Sequence, residues 1–281
     1  MRKESLLMKI WNCLWPLVIY LAAQSVVAAV GVLLLGSEWA IVFVLIAALL
    51  CIPIYYKMYK DGCQMPEDTE REISISNKDI AAIAISGAAL ALAMNNVITL
   101  TPLPHLFPGY QRTNEVLYGG GLILQILTAG VFGCIVEELS MRGIVYLRMK
   151  RYWGKRTAMI CSAVVFGLYH LNVVQAVYAF MLGLFFAWLY ERYQSLWACC
   201  IGHMSANLFI VMLSGSSVFA KVNTNLVGFC LVTCIALLTF YYGWNYMKQT
   251  KELTEIQFVE KEPDTLERLR EEYKEQEREE E

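Results

Sequence analysis

The chain has 281 residues, 57% of them hydrophobic and 17% charged, with a net charge of −2 and a mean hydropathy of +0.46. Soluble domains average about 25% charged residues, and the shortfall here is deeper than the mean, because the last 31 residues alone hold 6 basic and 13 acidic side chains. A soluble enzyme is excluded: the composition is that of an all-α polytopic membrane protein, with a membrane domain over residues 1–250 and an acidic charged tail over 251–281.

A spanning helix needs about 20 mostly apolar residues. Eight stretches qualify in chain order: Ile10–Leu35, Trp39–Tyr56, Ile80–Leu100, Tyr118–Leu139, Thr157–Leu171, Val174–Tyr190, Leu196–Leu213 and Leu226–Met247. The first follows Met-Arg-Lys as a signal peptide would, but its apolar run is too long and Pro16 interrupts it early, so it reads as a retained anchor. Between the third and fourth spans, Pro102, Pro104, Pro108 and Gly109 mark an irregular polar loop. Gln24, Asn95, Asn96, Gln125, Asn172 and Gln175 read as hydrogen-bonding glue between helices. With the N-terminus inside, 21 of the 23 Lys and Arg residues fall in inside segments, and only Arg112 and Lys221 fall outside. The positive-inside rule therefore puts both termini in the cytoplasm of what reads as a bacterial cell membrane. The basic residues are scattered over short loops, so no nucleic-acid surface is expected. Eight of the nine cysteines lie in apolar stretches and none forms a CxxC pair, which leaves neither a disulfide framework nor a structural zinc motif.

Ionisable side chains inside spans are costly, at roughly 2.5–3.5 kcal/mol each on insertion scales, and so ask for a reason. They are few: Glu137 and Glu138 in the fourth span with Arg142 just beyond, His170 in the fifth, and His203 with Asn207 in the seventh. Glu138 and Arg142, four apart, share a helix face and can pair. Glu137 is turned about a quarter of the way round and stays free, a carboxylate short of water and suited to a general base. His203 and Asn207, again four apart, offer two donors on one face that could stabilise an oxyanion. Each cluster alone also suits a salt-bridged helix end, a packing histidine or interhelical glue. All three within the 71 residues from Glu137 to Asn207 favour one site.

Glu137-Glu138-x-x-x-Arg142, Phe166-x-x-x-His170 and His203-x-x-x-Asn207 together resemble the CPBP intramembrane proteases. That family includes the eukaryotic CAAX prenyl endopeptidase and bacterial bacteriocin-processing and self-immunity membrane proteins. The motifs lie in the family's order over a catalytic core of residues 118–213. The resemblance implies hydrolysis of a peptide bond in a membrane-associated protein or peptide. Glu137 and His170 would activate water, His203 and Asn207 would stabilise the oxyanion, and Glu138, Arg142 and Phe166 would support the site or touch substrate. Partners would be membrane lipids and a peptide or membrane-protein substrate. The alternative is a non-catalytic self-immunity or scaffold protein that binds a peptide partner.

Other protease types find no footing. The sequence has no HExxH and no GxGD pair, and Ser214–Ser217 has no histidine nearby in sequence. Glu137, His170 and His203 could hold zinc with a water in the fourth position. Asn207 suits an oxyanion donor better than a ligand, which favours no tightly bound cofactor. Depth poses a difficulty. At about 1.5 Å per residue, Glu137 falls near the cytoplasmic end of its span, His203 about 10 Å in and His170 about 20 Å in. A single site then requires the fifth span to start deep or to tilt strongly.

Overall fold

The computed structural model describes residues 5–62, 75–107, 109 and 121–261. Among them all regular structure is helical: α1 (Leu6–Leu35), α2 (Ala40–Gly62), α3 (Asn77–Thr99), α4 (Leu122–Tyr169), α5 (Val173–Tyr193), α6 (Leu196–Ser214), α7 (Ser217–Thr224) and α8 (Leu226–Lys261), with single turns at Ser37–Trp39 and Leu103–Leu106. Seven of these are long and apolar enough to cross a membrane among the described residues, and α7 is not. The tail beyond Lys261 and residues 110–120, including the expected start of the fourth span at Tyr118, lie outside the described residues.

The helix starts are chemically specified. Ser5, Asn172, Ser195 and Ser216 each accept a hydrogen bond from a backbone N–H of the first turn that follows. α3 opens with a reciprocal capping box between Ser76 and Asp79. Asp79 Oδ1 also accepts from Tyr193 Oη at 2.9 Å, tying the start of α3 to the end of α5. Asn172 is thus a local cap rather than interhelical glue. Asn96 does bridge helices, since its Nδ2 donates to Thr233 Oγ1 of α8 at 2.9 Å.

α3 packs along both α6 and α8, and α5 packs along the second arm of α4. α3 and α6 approach so closely that a Cβ on Gly87 would stand 2.3 Å from the Gly202 carbonyl oxygen, the small-residue contact expected where helices associate in lipid. α1 and α8 bury the least and leave large apolar side chains such as Leu33, Leu34, Leu226 and Tyr242 exposed, as a lipid-facing rim should.

Eight expected spans become seven elements because α4 holds two of them. Its backbone bends at Gly154, whose φ of 76° and ψ of 169° lie outside the helical region, separating an arm up to Trp153 from an arm ending at Tyr169. The carboxylate of Glu191 fastens this bend. Its Oε1 accepts from Lys150 Nζ at 2.8 Å and Tyr146 Oη at 2.6 Å, and its Oε2 from Lys155 Nζ at 3.0 Å, so both sides of Gly154 meet one acid. No atom crowds a Cβ at Gly154, so Gly154→Ala tests the left-handed backbone alone. Thermal unfolding in detergent should show a loss of about 1–3 kcal/mol, and an unchanged melting temperature would mean that the bend does not need a glycine.

Candidate active site

The site is built around the middle of α4. Residues Gly133–Ser140 are regular α-helix, flanked by two π-helical stretches, Ile126–Phe132 and Met141–Tyr146. Such widened turns change the register of the helical faces and leave carbonyls out of the usual ladder, which is why they recur at functional sites. Glu137 and Glu138 lie in the regular segment and Arg142 in the second π stretch. The predicted pair forms: Arg142 Nη1 donates to Glu138 Oε1 at 3.0 Å with both side chains buried. Arg142 Nη2 donates to the Gly183 carbonyl at 2.9 Å. Its guanidinium carbon stands 4.7 Å from the Phe166 ring centroid and 5.3 Å from that of Phe186. A buried guanidinium is tolerated only with such partners.

His203 of α6 joins this pair. Its Nδ1 is 2.7 Å from Glu138 Oε1. A carboxylate only accepts, so Nδ1 carries the proton and donates. Nε2 is thereby aimed at Glu137, whose Oε2 is 3.7 Å away. The ring is held by stacking on Phe186 at 4.8 Å and an edge contact with Phe166 at 5.7 Å. The Glu138 side chain is fully buried, while that of Glu137 is 19% exposed, opens onto a cavity and faces His203 rather than standing free. The bond from His203 to Glu138 is not legible in either motif, because the two residues lie 65 positions apart.

His170 caps the second arm of α4. Its Nδ1 lies 2.8 Å from the Phe166 carbonyl oxygen, one of the unpaired acceptors at a helix end. A carbonyl also only accepts, so Nδ1 bears the proton and Nε2 of the neutral ring keeps its lone pair. Leu171, at φ 52°, then turns the chain sharply into α5. The depth difficulty disappears because the helix carrying Glu137 does not end at Leu139. It runs on to Trp153 before the bend, which places Glu137 near the middle of the first arm, about 22 Å from Leu122. The edge was misplaced because Arg142 and Arg148 looked like loop charges. Arg142 is neutralised within the bundle, and Arg148 donates to the Asn12 carbonyl oxygen.

Asn207 stands beside the first π stretch. Its Nδ2 donates to the Ala129 carbonyl at 2.9 Å and lies 3.4 Å from Cys134 Sγ. One amide proton is thus committed to backbone, while the other meets only a weak sulfur acceptor.

Glu137, Phe166, His170, His203 and Asn207 all line one cavity of about 210 Å³. Glu138 and Arg142 stand behind it and are not among its lining residues. The wall also carries Tyr20, Gln24, Asn95, Thr128, Gln175 and Tyr178. Three of these polar groups, Gln24, Asn95 and Gln175, read from sequence as glue. A polar residue in a span carries the same signature whether it faces a neighbour or a cavity. Tyr20 of α1 comes from the stretch that no motif covers, and its ring stacks on Tyr169, next to His170. Among the described residues no three His, Cys, Asp or Glu side chains are grouped to hold a metal ion. The zinc alternative on Glu137, His170 and His203 is therefore not supported by the donor set.

Comparison with known proteins places the centre of this bundle. Residues 119–209 match the Rce1-like family, described as Type II CAAX prenyl endopeptidase Rce1-like. That Rce1-like stretch holds every residue of the three motifs, from Glu137 to Asn207, and leaves α1–α3, α7 and α8 outside it. A curated relative, "Putative membrane peptidase YdiL" of Bacillus subtilis (strain 168), is 28% identical over 90 residues, which are 32% of this chain and 37% of that protein. The match thus spans little more than a third of the relative's length. No solved structure matches the chain.

Proposed function

We propose that this protein is an intramembrane endopeptidase that hydrolyses a peptide bond in a membrane-associated protein or peptide. The observation that carries the reading is the gathering of Glu137, His170, His203 and Asn207 from the two arms of α4 and from α6 on one cavity inside the bundle. Glu137 takes one proton from the attacking water, whose other hydrogen donates to Nε2 of His170, and Glu137 returns that proton to the leaving amine. His203 Nε2 and the less committed Asn207 proton donate to the tetrahedral oxyanion in a site screened from water. For Nε2 to donate, the His203 ring carries both protons, with Nδ1 donating to Glu138 and Nε2 facing Glu137. Arg142 and Glu138 fix that ring, and Phe166 packs against both imidazoles.

On this reading residues 118–213 are the catalytic core within a membrane domain of residues 1–250, and residues 251–281 are a charged tail. Both termini face the cytoplasm of a bacterial cell. Membrane lipids and the peptide substrate are the partners, and no tightly bound cofactor is required.

A second reading, a non-catalytic scaffold or self-immunity protein that binds a peptide, draws on the satisfied bonds of Asn207 and His203, which a purely structural network would also show. Peptide profiling of membranes separates the two. Products made by the wild type should be missing with His170→Ala, a change that leaves the Glu138–Arg142 pair untouched. If the same products are present in a deletion strain, or if His170→Ala still complements the deletion, binding rather than hydrolysis is the function.

A further inference from the structure

Away from the proposed site, the opposite face of the first arm of α4 meets the start of α1 in a second cavity, of about 310 Å³, lined by Asn12, Trp15, Arg148, Arg151 and Tyr152. Its floor follows from one proline. Pro16 has no N–H to give the carbonyl four residues back, and that carbonyl, on Asn12, accepts instead from Arg148 Nη1. The same guanidinium lies 5.3 Å from the Trp15 ring centroid, so it is fixed from two sides with donors to spare. Asn12 Nδ2 donates to Tyr152 Oη at 3.2 Å, and Lys9 Nζ stands 5.4 Å from the Tyr152 ring centroid. Among the described residues no carboxylate pairs with Lys9, Arg148 or Arg151. Arg148 and Arg151 line the cavity and Lys9 stands over the adjoining Tyr152 ring, and with no carboxylate among the described residues to pair them these cations repel one another unless an anion sits there.

We propose that this cavity binds the phosphate of an anionic membrane phospholipid. The surroundings favour a lipid over a free anion. Met8 and Trp11, one helical turn before Asn12 and Trp15, are 52% and 56% exposed and offer an apolar track for acyl chains. Tryptophan, tyrosine and basic side chains at a helix end are the residues that settle at headgroup level. The site does not depend on the peptidase reading.

The test uses delipidated full-length protein and native mass spectrometry with phosphatidylglycerol and phosphatidylcholine. Wild type should retain phosphatidylglycerol at least about 25-fold more tightly. Lys9→Gln/Arg151→Gln, which spares the backbone-tied Arg148, should lower that preference about five-fold for each charge removed, and the exposed Arg151→Gln alone should give the single step. Lys57→Gln/Lys60→Gln removes the same charge from the last turns of α2 and should leave the preference unchanged. No preference in the wild type overturns the proposal. An equal loss in the α2 variant overturns it in favour of diffuse attraction. Displacement by millimolar inorganic phosphate overturns it in favour of a free anion.

Discussion

Glu137→Gln is expected to lower peptide cleavage by about 10²–10⁴-fold, the contribution of a positioned general base, with almost no change in stability. The substitution keeps the shape of the side chain and removes its ability to take a proton. Stability should hold because this carboxylate is 19% exposed on the cavity and its approach to His203 Nε2 is long, at 3.7 Å. Exposed or weakly paired charges contribute little to folding, typically up to about 1 kcal/mol. Two measurements on the same purified sample check this: product release from a membrane-anchored reporter, and thermal unfolding. Full cleavage by the variant would remove Glu137 from the mechanism. Lost cleavage with a large drop in melting temperature would instead place Glu137 in the structural network.

The architecture was legible from sequence because charge is scarce in the first 250 residues, so apolar runs and their basic flanks mark the helices directly. The i, i+4 rule was enough to pair Glu138 with Arg142, since both sit on one continuous helix. Reading failed where tertiary partners hold a charged side chain. Arg142 and Arg148 mimic a loop in sequence, yet Arg142 is paired with Glu138 inside the bundle and Arg148 is tied to a carbonyl freed at Pro16. The π stretches were equally invisible, because a change of hydrogen-bond register leaves no residue pattern. A signal for the bend did exist: Gly154 stands alone in the basic run Lys150–Arg156, between two helical patterns. The bond from Glu138 to His203 and the contribution of Tyr20 are contacts between distant segments, beyond what motif spacing carries.

Glu138→Ala should have the opposite profile to Glu137→Gln, with the protein lost before its activity can be judged. The alanine strands the Arg142 guanidinium among the Phe166 and Phe186 rings with only the Gly183 carbonyl for a partner, and it leaves His203 Nδ1 with no acceptor. Removing one member of a buried ion pair typically costs about 3–5 kcal/mol, which for a bundle of this size means poor yield and a sharply lower melting temperature. Glu138→Gln offers a carbonyl to the same two donors and should fold better than the alanine variant. Its cleavage should still fall, because a neutral amide oxygen is a weaker acceptor than a carboxylate and holds the His203 ring less firmly in place. Glu138→Ala combined with Arg142→Met should be more stable than Glu138→Ala alone, since it removes the uncompensated charge along with its partner. A Glu138→Ala protein as stable as wild type would show that the pair does not hold the site. A double variant no better than the single would show that the two side chains are not coupled, and the division of labour between the adjacent glutamates would then have to be abandoned.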